Sequence, residues 1–491
     1  MGFDFDSSKR RDLGNKLIAR IDEYFTSLGD RPVQPPAGRR NYGHHLSPLP
    51  ELGGDAEQIL SELWRELDEQ GFHIPSGNYF GLVNPAPTYM AVLAEAMVAA
   101  LNPQLATMVR SELASRIEAE TLQWIASRLG WQKRLNGEKI EPTARLCDGT
   151  FTSGGNEANH TALALALSWA FPAWLEDGIA SLGVRPVLYT SEEAHHSLDK
   201  SAGLLGLGRT ALRRIRVNEK LQLDVAALRE RIESDVAAGF KPFCLIATAG
   251  TSSSGAIDDL PALAEIAREY KLWLHVDGAY GAAALFSDQY KHLMDGIERA
   301  DSMTMDPHKW LNMPFSCGVV LTTHPRLLEE AFSVEAPYIM EAEGSPLKDS
   351  YKLGLQWSRR MNSLKLWLTL RVHGRVAYEE LIGRQIRQAQ ELAAWAQGTK
   401  FFELCNEPRL PILNLRLKID GDEAALDAAH QALIDEINNA GRFWISKSTV
   451  AGRSVIRMMI ISHHTSEANI KAFETALAAA AHKAMAAAVT R

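Results

Sequence analysis

Short apolar runs recur through the middle of the chain, separated by longer stretches with helical spacing. Val187–Thr190, Phe243–Thr248, Trp273–Asp277, Ser302–Met305 and Gly318–Thr322 are each short, apolar and bounded by turn residues, so each predicts a buried strand. Helical patterns between such strands predict a mostly parallel sheet covered on both faces. Ahead of this region, residues 14–28 have amphipathic spacing and predict a helix. Asp30 to Pro50 carries five prolines and little periodicity, which reads as an extended arm. After a long helix beginning near Asn362, Pro411–Leu417 and Ser454–Ile461 predict strands, and 422–440 and 466–488 predict helices. Those elements make a small α+β unit, and the Ala-rich terminus (AAAAHKAMAAAV) is a strong helix former. The division that follows is an N-terminal helical arm over 1–88, a large α/β domain over 89–364 and a small α+β domain over 365–491.

With 491 residues, the chain can bury a sizeable core, and 46% hydrophobic with 23% charged residues excludes a disordered or fibrous protein. Lys and Arg number 52 against 60 Asp and Glu, so the net charge is 52 − 60 = −8. No basic field gathers nucleic acid or anionic lipid, which points instead to small-molecule chemistry. Cys147, Cys244, Cys317 and Cys405 lie singly, without metal-knuckle or disulfide spacing, and fit a reducing cytoplasm. The start MGFDFDSSKRRDLG has no apolar signal core, and Ser7 stands one position late for a myristoylation pattern. Neither export nor a membrane span is expected.

In an open α/β sheet, ligands collect beyond the carboxyl ends of the strands. Four loops there carry chemistry. Thr152-Ser153-Gly154-Gly155-Asn156-Glu157 runs into a helical stretch, so its glycines and the helix start can cradle an anion, although an ordinary strand–helix turn has the same look. Asp277, ending the strand before Gly278-Ala279-Tyr280, puts a carboxylate at an apolar rim. It needs a cation such as a protonated heteroaromatic nitrogen, or else caps the next helix. Asp306-Pro307-His308-Lys309-Trp310 places an amine where it can attack a carbonyl and form a Schiff base; a lone lysine is otherwise a surface charge. Glu193-Ala194-His195-His196-Ser197 offers an imidazole that can stack on an aromatic ring and move protons. Adjacent histidines seldom share one metal ion, so no metal is expected.

Taken together, HVDGAY, DPHKW, TSGGNEAN and AHHS, with 309 − 277 = 32 residues from Asp to Lys, resemble the group II amino-acid decarboxylases that use pyridoxal phosphate (PLP). The aromatic type is nearest in motif, and the similarity runs from about residue 20 to about residue 465. It implies fold type I: a mostly parallel seven-stranded sheet in a large domain, an N-terminal helical arm and a small C-terminal α+β domain. It implies that Lys309 holds PLP, Asp277 pairs with the ring nitrogen, His195 stacks over the ring and Ala279 packs beneath it. Gly155, Asn156, Thr248 and His308 would meet the coenzyme as well. Asn156 stands where several relatives have Ser or Thr. Asp306 stands where some have Asn, and is expected to bond backbone amides rather than face a phosphate.

The resemblance further implies decarboxylation of an L-amino acid to an amine and carbon dioxide, with Tyr338 returning a proton to the α-carbon. Having both Tyr338 and His195 favours the amine over an aldehyde product. The run from Gln356 to Trp367 is closer to aromatic-type relatives, and Arg359 is a candidate active-site cation, with a surface salt bridge the alternative. Leu82 and Val83 should line the side-chain pocket, with Ala106 reaching it from a second subunit; all three are smaller than the rings relatives carry. An aromatic substrate is the first expectation. Acidic or diamino acids, or an aldehyde synthase on the same scaffold, are alternatives within the family, and a nucleotide- or sugar-phosphate binder without lysine chemistry is the alternative outside it. A cytoplasmic homodimer is expected, because the arm would otherwise expose apolar surface.

Overall fold

The structure is a computed structural model that describes residues 4–35, 48–133, 145–334 and 347–489. Helix α1 (Ser7–Ser27) begins where the Asp6 side chain accepts from the Lys9 N–H, seven residues ahead of the expected start. Its first two turns are polar, so apolar periodicity could not locate them. Helices α2 (Ala56–Gln70), α3 (Tyr89–Leu101) and α4 (Met108–Arg128) follow, the first two capped by Asp55 and Thr88.

The main sheet is built from β1 (Trp131–Lys133), β2 (Arg145–Thr152), β3 (Arg185–Ser191), β4 (Leu212–Ile215), β5 (Phe240–Thr248), β6 (Trp273–Asp277), β7 (Ser302–Met305) and β8 (Gly318–Thr322). Their order is β1-β2-β8-β7-β6-β5-β3-β4, and only β8 runs antiparallel to its neighbours. The mostly parallel sheet is as expected, but it has eight strands rather than seven. Beyond the five strands expected from apolar runs, it includes β1, three residues on the edge beside β2, together with β2 and β4. Helices α5 (Gly155–Ala170), α6 (Trp174–Asp177), α7 (Ser197–Leu204), α8 (Val225–Ala237), α9 (Leu260–Tyr270) and α10 (Pro325–Phe332) connect these strands. The central strands β6, β7 and β8 are buried at every position, as a sheet covered on both faces requires.

Helix α11 (Ser363–Gln397) joins two cores. Its Leu366, Tyr378, Ile382 and Ile386 pack with the main sheet, and Ala389, Leu392, Ala393 and Ala396 pack with the C-terminal unit. That unit is an antiparallel sheet of β9 (Phe402–Leu404), β10 (Ile412–Leu417), β11 (Ser446–Val450) and β12 (Arg453–Met459), in the order β11-β12-β10-β9. Helices α12 (Glu423–Asn439) and α13 (Glu467–Val489) cover it. Among the described residues no helix is long and apolar enough to cross a membrane.

Candidate active site

The carboxyl ends of the parallel strands converge on a cleft of about 410 Å³. Its walls include Gly155, Asn156, His195, Thr248, Asp277, Ala279 and Lys309, brought together from loops spread over more than 150 residues. Strand pairing does this directly: Thr248 of β5 sits opposite Asp277 of β6, which sits opposite Thr304 of β7. Thr248 is fixed from behind by Asp258, whose buried carboxylate accepts from the Thr248 and Leu223 N–H groups, each at 2.7 Å. Burial pushes the Asp258 carboxyl up to about 6.

Asp277 is buried and held on both oxygens. Oδ1 accepts from the Ala279 N–H at 3.1 Å and Oδ2 from the Asn159 amide at 2.8 Å. The carboxylate is oriented by donors alone, and no cation is paired with it among the described residues. Lys309 Nζ instead lies 3.1 Å from Asp306 Oδ2. Asp306 therefore departs from expectation: its side chain does not bond backbone amides. It faces Lys309 and His308, the latter at 3.6 Å, and its Oδ1 is buried without a partner.

Gly155 explains why the loop needs glycine. A Cβ there would stand 2.6 Å from Asp306 Oδ2 and 3.2 Å from the Ala279 methyl, closer than side-chain carbons approach. The residue opens α5, whose first-turn N–H groups lack partners within the helix. His308 accepts the Cys317 N–H on Nδ1 at 3.1 Å, which places its ring proton on Nε2, toward Asp306. His195 likewise accepts the Ser197 N–H on Nδ1 at 3.1 Å. Desolvation lowers the basicity of both rings, so both are neutral at pH 7.

Leu82, Val83 and Ala106 are not among the cleft walls formed by a single chain. Leu82 is 51% exposed, Val83 packs on the main core, and Ala106 is buried with its carbonyl accepting from the Tyr351 N–H. Arg359 is a correction. It is buried, and its two terminal nitrogens each donate to Glu118 at 2.6 Å, so its charge is satisfied away from the cleft. Tyr338 lies outside the described residues.

The structure also supplies residues that sequence reasoning did not single out. Asn159 lay inside the TSGGNEAN run, one helical turn past Gly155, and that spacing was the available signal. Arg457 of β12 is buried with no carboxylate partner among the described residues; it donates to the Gly81 carbonyl at 2.9 Å, and burial lowers it to about 10.

An open α/β sheet carrying an amine, an oriented carboxylate and an anion cradle at its carboxyl edge defines a class of enzymes that act through a tethered coenzyme. The sequence pattern of the pyridoxal-dependent decarboxylase conserved domain matches residues 45–418, and the chain belongs to that family. The aromatic-L-amino-acid decarboxylase of Bacillus atrophaeus is 30% identical over 94% of this chain and 92% of that one. The L-2,4-diaminobutyrate decarboxylase of Acinetobacter baumannii is 30% identical over 78% and 75%. A solved structure of Catharanthus roseus tryptophan decarboxylase in complex with L-tryptophan superposes with a TM-score of 0.86 at 25% identity, covering 98% and 100%. The protein is thus a PLP-dependent amino-acid decarboxylase, a carboxy-lyase. Its cleft suits that coenzyme: Thr248 Oγ1 is buried without a partner, and Gly155 and Asn156 bring the start of α5 to its wall.

Proposed function

We propose that Lys309 is the coenzyme-binding lysine and Asp277 the partner of the ring nitrogen, in an enzyme that decarboxylates an aromatic L-amino acid to its amine. The observation that carries this is the convergence of Lys309, Asp277, His195 and the Gly155 cradle on one cleft. When bound, PLP supplies a positively charged ring that accepts the electron pair left by departing carbon dioxide. Asp277, an acceptor only, holds the proton on the ring nitrogen and thereby keeps that charge in place. Gly155 and Asn156 would hold the phosphate with the first N–H groups of α5, Thr248 would add a hydroxyl donor, and His308 would back the loop at Gly154. Ala279 packs on one ring face. His195, neutral with its proton on Nε2, covers the other and excludes water. Lys309 would hold the coenzyme through its amine, and Asp306, 3.1 Å from that amine, would set a carboxylate beside it. Tyr338 protonates the α-carbon.

The aromatic substrate rests on the Gln356–Trp367 run and on the relatives named above. A second reading is an acidic or diamino L-acid, the diamino class being that of the L-2,4-diaminobutyrate decarboxylase relative. Measuring carbon dioxide and amine release from aromatic, acidic and diamino L-acids separates the two. Turnover of an aromatic acid to its amine supports the first reading, and turnover confined to acidic or diamino substrates, or aldehyde as main product, rejects it.

We further propose a cytoplasmic homodimer in which Leu82, Val83 and the partner's Ala106 complete the side-chain pocket. In its support, α1 and α2 leave Leu17, Leu60, Leu63 and Leu67 exposed along one groove, and Leu101 and Leu113 are about three-quarters exposed. A solution mass of two chains is expected; a fully active monomer contradicts it.

A further inference from the structure

Behind Asp277 lies a row of buried polar groups that the steps above leave unused. Side chains alternate along β6, so Trp273, His275 and Asp277 share one face while Leu274 and Val276 join the main core on the other. The shared face lies against α5 and meets Asn159. All of these groups are buried, together with Ser302 opposite His275 on β7. Burying so many polar groups is costly unless each is paired, and here each is.

The pairing has a direction. A carboxylate only accepts, so the Asn159 NH2 group faces Asp277 Oδ2, at 2.8 Å, and its carbonyl faces His275 Nε2, at 3.1 Å. A carbonyl also only accepts, so Nε2 carries the imidazole proton. Burial lowers His275 to about 4, so the ring is neutral and Nδ1 is bare. Nδ1 then accepts the Ser302 hydroxyl at 2.9 Å, and Ser302 Oγ accepts the Trp273 indole N–H at 2.9 Å. Trp273 can only donate. Every donor from the indole inward points toward Asp277, and successive bonds in such a chain polarise one another.

We propose that Asn159 is a positioning residue through which His275 and Ser302 keep Asp277 aimed at the ring nitrogen of the coenzyme. The inference rests on the assignment of Asp277 to that nitrogen. It predicts an effect confined to ligands that possess the nitrogen, which a merely structural asparagine would not produce.

The test strips the full-length enzyme of coenzyme and titrates it with PLP and with 1-deaza-PLP, in which C–H replaces the ring nitrogen. Wild type should prefer the natural coenzyme, and Asp277→Asn should abolish that preference. Asn159→Asp removes the donor and sets a second carboxylate against Asp277. It should cut the preference about tenfold, mostly through weaker PLP binding, as expected for loss of a charge-assisted hydrogen bond. Ser302→Ala, at the remote end, should cut it about threefold. If Asp277→Asn keeps the wild-type preference, the assignment beneath the inference fails. If Asp277→Asn loses it while Asn159→Asp keeps it, or loses both ligands equally, the relay alone is wrong. Should Asn159→Asp not fold, Ser302→Ala decides by the same comparison.

Discussion

Two arginines reverse what their sequence context suggested, and the reason is charge balance. Arg359 sits in a run that resembles active-site sequence, yet the structure gives it a buried bidentate partner, Glu118, 241 residues away. Arg457, in an unremarkable strand, has no such partner among the described residues. Sequence shows that a cation exists but not whether an anion waits for it across the fold. Removing one member of a buried pair strands the other, so Arg359→Ala should destabilise the protein by about 3–5 kcal/mol. Denaturant unfolding checks this; wild-type stability combined with impaired substrate binding would return Arg359 to the active site. Asp306 belongs to the same lesson. A phosphate nearby suggested that it would bond backbone amides, whereas its partner is the lysine three residues on.

At the scale of elements, most of the architecture was legible. β6, β7 and β8 match the expected runs residue for residue, because central parallel strands are apolar throughout and end sharply at turn residues. β3 and β5 begin earlier, at stretches that include the exposed Arg185 and Lys241, and α1 starts early in the same way: solvent-facing positions carry no burial signal. β1, β4 and β9 are only three or four residues long, and β2 and β11 are interrupted by polar residues, so none of these five showed in the sequence pattern. The loop chemistry was legible wherever a function packs into consecutive residues, as in DPHKW. It was not legible where function is shared between elements, as with Asn159 on α5 and His275 on β6. The start of α5 gives a direct test of the cradle. Gly155→Ala puts a methyl 2.6 Å from Asp306 Oδ2, so the loop must shift and PLP affinity should fall at least about tenfold. A coenzyme titration at wild-type affinity would show that the phosphate binds elsewhere.

For the molecule as a whole, buried histidines set the acid limit. His275 and His430 are lowered to about 4 and His463 to about 3, all by burial, from an ordinary value of 6.5. Between those values the unfolded chain binds protons that the folded one refuses, so stability is lost as pH falls from 6.5 toward 4. Asp258 acts oppositely. Its raised carboxyl keeps a proton below about pH 6 that the unfolded chain releases, offsetting one histidine but not three. The thermal midpoint should therefore drop steadily between pH 7 and pH 5; a flat or rising midpoint contradicts these environments.

The claim on which all three scales depend is that one amine, from Lys309, carries the coenzyme. Borohydride reduction of the PLP-loaded protein, followed by peptide mass mapping, tests it without reference to substrate. A phosphopyridoxyl group on Lys309 alone is the predicted result. A reduced adduct on another lysine, or none on a protein that binds the coenzyme, would contradict it.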